Sequence, residues 1–218
     1  MIGVAALVLA AGSGTRLGER KQFLELTPGE RLIDRTIRTS RQCADWVGAV
    51  VPADAVSDGV EGRGPSVDFV TAGGVDRLSS LRAGLVAVPT DADVLVIHSA
   101  SHPLASPELI ETLITAIRDG ADGAVPILAA VDVIKRVGDD GSITTVGREG
   151  LGTAQAPMAY RTEALRDALA DGATHIEESM ALEAAGGAIQ AVPGEVSNIH
   201  VTDEASLAVV RRLAGSSS

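Results

Sequence analysis

Leu9-Ala10-Ala11-Gly12-Ser13-Gly14-Thr15-Arg16-Leu17-Gly18-Glu19-Arg20-Lys21-Gln22-Phe23-Leu24 is the stretch that decides the fold. It follows residues 4–10, which are apolar throughout, the pattern of a strand covered on both faces. Glycines directly after a buried strand let backbone N–H groups approach an anion. Two cations, Arg16 and Lys21, stand in and just beyond the glycines. There they can neutralise a polyphosphate and the charge that builds during phosphoryl transfer. The alternative for Arg16, Arg20 and Lys21 is a set of solvated loop charges. A dinucleotide fingerprint would put its third glycine at position 17, which is leucine, and no acid follows at the ribose distance. No Gly-Lys-Ser/Thr occurs, which excludes a P-loop.

The composition narrows the classes further. The chain has 218 residues, 45% apolar and 22% charged, the size and balance of one globular domain. A net charge of −11 argues against a duplex-tracking nucleic-acid binder, whose footprint is basic. Aromatics at 2% leave no stacking platform for single strands. Of the 18 basic residues 16 are Arg, so the two lysines, Lys21 and Lys135, are worth locating. A lone cysteine, Cys43, excludes an internal disulfide and a cysteine-rich zinc site, and no metal-ligand set is read. It lies in a helix-like stretch and reads as a small buried hydrophobe. The longest apolar run, residues 2–12, is shorter than the roughly 18–20 residues that span a bilayer. No basic residue precedes it, so it reads as a first strand rather than a signal-peptide core. No membrane association and a cytoplasmic location are expected.

Working outward, strand and helix patterns alternate. Residues 32–43 read as a helix with Arg35, Arg38 and Arg41 on its wet face, and 46–51 and 67–70 as strands. Residues 79–88 are helical and 93–97 form a strand. Ser106-Pro107-Glu108 is a helix start, with an N-cap serine, proline at the first helical position and an acid on the positive dipole end. From residue 124 the pattern changes: 125–127 and 129–137 are strand-like, Asp139-Asp140-Gly141 signals a turn, and 143–146 returns. This reads as a β-arm over about 129–155, projecting from the main sheet. Helices at 161–169, 177–185 and 203–213 and a strand at 189–192 close the chain. Nothing divides residues 1–218, so a single domain is expected. The alternation predicts a three-layer α/β fold with its site beyond the carboxyl ends of the strands.

Residues 9–16 together with Lys21-Gln22-Phe23-Leu24 resemble the nucleotidyltransferases that activate sugar and polyol phosphates. They are most similar to the 2-C-methyl-D-erythritol 4-phosphate and ribitol-phosphate cytidylyltransferases. Gly73-Gly74-Val75-Asp76-Arg77-Leu78-Ser79-Ser80-Leu81 and Val94-Leu95-Val96-Ile97-His98-Ser99-Ala100-Ser101-His102-Pro103 resemble two further family blocks, in the same order. The resemblance implies a Rossmann-like nucleotidyltransferase with a mostly parallel sheet and a projecting β-arm. It also implies transfer of CMP from CTP with release of pyrophosphate. By resemblance, Ala10, Ala11, Gly12, Ser13, Gly14 and Thr15 wrap the triphosphate, with Arg16 and Lys21 on its charges. Gly74 and Ser80 meet the cytosine edge, Arg77 braces that segment, and Ser99 and Ala100 complete the nucleotide side. A backbone carbonyl plus a hydroxyl suits cytosine's mix of donor and acceptors. For Ser80 the alternative is a hydroxyl that satisfies a helix N-terminus. Mg²⁺ is implied, held mainly by the CTP phosphates. Arg148, on the arm, implies contact with a neighbouring subunit and a homodimer.

The acceptor half departs from the family pattern. Ser99 and His102 replace an acid and an arginine, and Arg20 replaces a proline before the lysine. Val133 and Ala156 each replace a hydroxyl, Met158 an amide, Ile176 a threonine, and His200 a lysine associated with the transferred phosphate. His200 is therefore a catalytic candidate, and His102, Val133, Arg148 and Ile176 are candidates for acceptor binding. Since the nucleotide half is kept, the first expectation is a divergent paralogue that uses a different small phosphate or phosphonate acceptor. The alternatives are a genuine methylerythritol-phosphate enzyme of isoprenoid biosynthesis and a non-catalytic nucleotide-binding homologue. A molybdenum-cofactor type guanylyltransferase would share only the first loop. An unperturbed histidine is mostly neutral at pH 7, so His102 and His200 are expected to be part-time cations. Activity should then rise toward about pH 6.5.

Overall fold

The computed structural model describes residues 3–12, 20–57, 65–170 and 177–216. β1 (Val4–Leu9) is followed by a 3-10 turn at Lys21–Phe23, a hairpin of β2 (Glu25–Thr27) and β3 (Glu30–Arg31), and α1 (Leu32–Cys43). Next come β4 (Trp46–Val51), β5 (Phe69–Ala72), α2 (Arg77–Leu85), β6 (Val94–Ser99) and α3 (Pro107–Arg118). The second half runs β7 (Gly123–Ala129), β8 (Ile134–Val137), β9 (Ile143–Val146), β10 (Gly152–Ala154) and β11 (Met158–Arg161). It ends with α4 (Thr162–Ala170), α5 (Glu178–Ala184), β12 (Ile189–Pro193) and α6 (Glu204–Gly215).

The main sheet is ordered β10-β7-β11-β6-β1-β4-β5, with β12 added on β7. β1 lies between β6 and β4 and is parallel to both. Its pleat sends Val4, Ala6 and Val8 into one layer and Ala5, Leu7 and Leu9 into the other. No position on such a strand is wet, which accounts for the unbroken apolar run. The first layer packs α1 and α3 on the sheet through Ile33, Ile37, Leu109, Ile110, Leu113 and Ile114. The second brings in Leu78 and Leu81 of α2, Leu165 of α4 and Leu182 of α5. This is the three-layer α/β architecture. α6 forms a smaller cluster with the hairpin and the start of α1, joining Leu26 and Leu32 to Val201, Leu207 and Val210. The Val201 N–H donates to the Ser101 carbonyl at 2.8 Å, which sets the segment around residue 200 beside the turn after β6.

α1 and β4 run as the periodicity predicts, and α3 starts where Ser106 accepts a hydrogen bond from the Leu109 N–H at 3.0 Å. β5 lies two residues later than the predicted 67–70, and α2 begins at Arg77 because Asp76 caps it. The predicted strand 129–137 is broken, since β7 ends at Ala129 and β8 begins at Ile134. β8 and β9 pair only with each other, while β10 rejoins the main sheet on β7. β11 had no periodic signal, yet it sits between β6 and β7, antiparallel to both. Among the described residues no helix is long and apolar enough to cross a membrane.

Candidate functional site

A cavity of about 600 Å³ lies where the chain leaves β1, β5 and β6, the carboxyl-end position expected of this fold class. One wall is Ala10, Ala11, Gly12 and Lys21. The Ala10 N–H donates to the Val50 carbonyl at 2.8 Å, anchoring the loop to β4. Gln22, which the sequence reading passed over although it lies within Lys-Gln-Phe-Leu, is 2% exposed and donates through Nε2 to the Gly12 carbonyl at 3.1 Å. Lys21 donates through Nζ to the Val201 carbonyl at 2.8 Å, so its ammonium joins the first loop to the late segment. Ser13, Gly14, Thr15, Arg16 and Ile176 lie outside the described residues.

The opposite wall is the turn from β5 into α2. Asp76 accepts from the Ser79 N–H at 2.7 Å. The Ser80 hydroxyl accepts from the Gly74 N–H at 3.1 Å and donates to the Asp76 carbonyl at 2.8 Å. Ser80 thus ties the backbone before α2 to the N-cap carbonyl while lining the cavity, and Asp76 rather than Ser80 caps the helix. A Cβ on Gly73 would collide with Ala11 Cβ and the Ser80 hydroxyl, so glycine is what lets the two walls touch. Arg77 also lines the cavity and is gripped by Glu178, a residue the sequence reading did not single out.

The third wall holds Ser99, Ala100 and His102, with His200 against it. Ser99 and Ser101 share a hydroxyl–hydroxyl bond of 2.8 Å. His102 and His200 are stacked, with centroids 4.4 Å apart and planes 20° apart. Burial above all, then the neighbouring His200, His98, Lys21 and Arg77, pushes the His102 pKa down to about 3. His102 is therefore neutral at physiological pH, which overturns its expected role as a part-time cation. Its Nδ1 is buried without a partner among the described residues. His98, fully buried, is pushed down to about 4 by desolvation. Its Nε2 faces the His102 carbonyl at 3.1 Å and therefore carries the proton, while Nδ1 accepts from the Ser40 hydroxyl at 3.0 Å.

Ala156, Met158 and Gln155 close the floor, Gln155 donating to the carbonyls of Glu195 and Asn198 at 2.8 and 2.9 Å. Gln155 is a further lining residue without a sequence signal of its own. Val133 and Arg148, expected at the acceptor, do not line this cavity. Val133 is 66% exposed beyond the end of β7, and Arg148 is turned onto the Val131 carbonyl within the arm. Cys43 is half-buried, its thiol pushed up to about 11 by desolvation and then by Glu111 and Glu108, which makes it unreactive. Among the described residues no group of three or more His, Cys, Asp or Glu is placed to hold a metal.

The family model for 2-C-methyl-D-erythritol 4-phosphate cytidylyltransferase matches residues 4–213. The enzyme of that name from Rubrobacter xylanophilus is 33% identical over 221 residues, covering 98% of this chain and 95% of its own. The one from Rhodococcus jostii is 34% identical over 218 residues, covering 96% and 94%. The crystal structure of the Thermus thermophilus enzyme superposes with a TM-score of 0.82 at 25% identity, covering 98% of this chain and 99% of that one.

Proposed function

The chain belongs to the 2-C-methyl-D-erythritol 4-phosphate cytidylyltransferase family, and from that membership we propose that it transfers CMP from CTP to 2-C-methyl-D-erythritol 4-phosphate, a step of isoprenoid biosynthesis. The observation that carries this reading is the meeting in one cavity of Gly12 and Lys21, Gly74 and Ser80, Ser99 and Ala100, and His200. These come from separate blocks of the sequence that the carboxyl ends of the parallel strands bring to one place, where an α/β fold of this kind binds its ligand. The relatives' names support this acceptor over the different one expected first from the substitutions.

In this reading an acceptor phosphate oxygen attacks the α-phosphorus of CTP in line. The bond from that phosphorus to the bridging oxygen breaks, and pyrophosphate leaves with the electron pair. Lys21, held between the first loop and Val201, stabilises the charge that spreads over the phosphates; Arg16 shares that role. His200 borders the transferred group. Neutral His102 supplies hydrogen bonding rather than charge. A Mg²⁺ ion brought in with CTP would supply charge neutralisation, and of this chain's residues on the nucleotide side the Ser99 hydroxyl would be a weak ligand for it. The arm supports a homodimer: Val131, Val133, Val137 and Ile143 are each about two-thirds exposed or more, which suits burial against a second copy.

A second reading, another small phosphate or phosphonate acceptor, has one observation in its favour. Ser99, His102 and Ala156 give the acceptor wall neither a carboxylate nor a permanent cation. Pyrophosphate release from CTP across an acceptor panel separates the two. The proposal expects the highest kcat/KM with 2-C-methyl-D-erythritol 4-phosphate and a loss of roughly 10²–10³ in kcat for Lys21→Ala. Turnover confined to other acceptors supports the second reading. CTP binding without turnover on any acceptor identifies a non-catalytic homologue.

A further inference from the structure

The turn from residue 74 to 80 is locked within itself by the Gly74–Ser80, Ser80–Asp76 and Asp76–Ser79 hydrogen bonds. A turn locked in this way keeps its shape. Its position therefore depends on what ties it to other elements. Among the described residues, the side-chain hydrogen bonds from this turn to another element are those of Arg77. Arg77 is the first residue of α2, and its Nε and Nη2 donate to the two carboxylate oxygens of Glu178 at 2.8 and 2.6 Å. Glu178 is the first residue of α5, 101 positions away, and is completely buried. The residue before it, Glu177, lines the same cavity and accepts from the Ser179 hydroxyl at 2.6 Å. A two-bond guanidinium–carboxylate pair fixes both distance and plane, which a single contact does not.

We propose that Glu178 is the positioning residue of the nucleotide wall: its buried carboxylate holds Arg77 and thereby sets the 74–80 turn at the distance a pyrimidine base and ribose require. This rests on the nucleotide reading given above. Glu178 touches no ligand itself. The carboxylate also neutralises Arg77, so the guanidinium acts as a rigid brace and leaves phosphate neutralisation to Lys21. The consequence is a division of labour. Loss of the brace weakens recognition of the nucleoside portion and leaves the phosphate portion intact.

The test compares CTP with inorganic pyrophosphate as ligands, by calorimetry, in wild type and in Glu178→Gln. A carboxamide can accept one of the two bonds and sets its amino group against the guanidinium. CTP affinity is expected to fall roughly tenfold with pyrophosphate affinity unchanged. Glu178→Asp keeps the charge and both oxygens and is expected to bind CTP more tightly than Glu178→Gln. Because breaking an ion pair whose carboxylate is fully buried can prevent folding, Arg77→Met combined with Glu178→Leu removes both charges together. It is expected to show the same selective loss of CTP. Parallel weakening of both ligands, an unchanged CTP affinity, or an Asp variant no better than the Gln variant would each overturn the brace. Wild type that binds CTP without transferring CMP overturns the reaction proposed above and leaves this test standing, whereas wild type that binds no CTP overturns both.

Discussion

At the scale of single residues, His102 shows what a motif cannot carry. The order of the blocks was legible, and with it the convergence of Lys21, Ser80, Ser99 and His200 on one cavity. The protonation state of His102 was not, because it depends on burial and on the basic groups around the ring, which come from four separate parts of the chain. Gln22, Gln155 and Glu178 escaped for a related reason: each acts through distant polar partners, and pairing across 10 to 101 residues leaves no local pattern. His98 and His102 both have folded-state pKa values below the roughly 6.5 of an unfolded chain. Between about pH 4 and 6.5 the unfolded chain therefore binds more protons, and stability rises with pH across that window. The loss between pH 7 and pH 5 should approach about 2 kcal/mol for each histidine. Thermal unfolding at the two pH values measures it, and His98→Gln should flatten the dependence. An equally steep variant would show that His98 is not held neutral. The same burial removes His102 as a source of any rise in activity toward pH 6.5.

At the scale of elements, long periodic segments were read well and short ones were not. α1 and α3 announce themselves by apolar spacing and, for α3, by a cap. β11 is only four residues, Met-Ala-Tyr-Arg, and its place in the middle of the sheet comes from pairing on both sides rather than from any alternation of its own. The docking of α2 depends on a residue with no side chain. A Cβ on Gly84 would lie 2.5 Å from Leu7 Cδ2 and 2.8 Å from Val50 Cγ2. Gly84→Ala should therefore destabilise by about 1–3 kcal/mol through overpacking. Leu7→Ala alone should cost about 2–5 kcal/mol through a cavity. Combined, the two should cost less than their sum, since the new methyl occupies space the leucine vacates. Denaturant unfolding of both single variants and the double decides this, and strict additivity would show that α2 does not rest on Leu7 through Gly84.

At the scale of the whole molecule, a net charge of −11 is unusual for a protein that binds a triphosphate. The cavity shares in that acidity, since Asp76 and Glu177 line it beside Lys21 and Arg77. Lys21, Arg77 and His200 line the same cavity, with the Arg77 charge balanced by Glu178. The second lysine, Lys135, lies on the arm, bonded to the Thr145 hydroxyl across the β8–β9 ladder. Beside it Val137 and Ile143, cross-strand partners in the same ladder, are 68% and 66% exposed. Replacing both with Glu should convert a sedimenting dimer to a folded monomer, because burying two carboxylates in an apolar interface is costly. Wild type that sediments as a monomer would remove the arm as a dimer contact. The central claim, transfer of CMP to the family's acceptor, is tested most directly by the phosphorus NMR spectrum of wild type incubated with CTP, Mg²⁺ and 2-C-methyl-D-erythritol 4-phosphate. The account predicts free pyrophosphate together with two mutually coupled signals from a new unsymmetrical diphosphate. An unchanged acceptor phosphate signal, with CTP intact or merely hydrolysed, would contradict it.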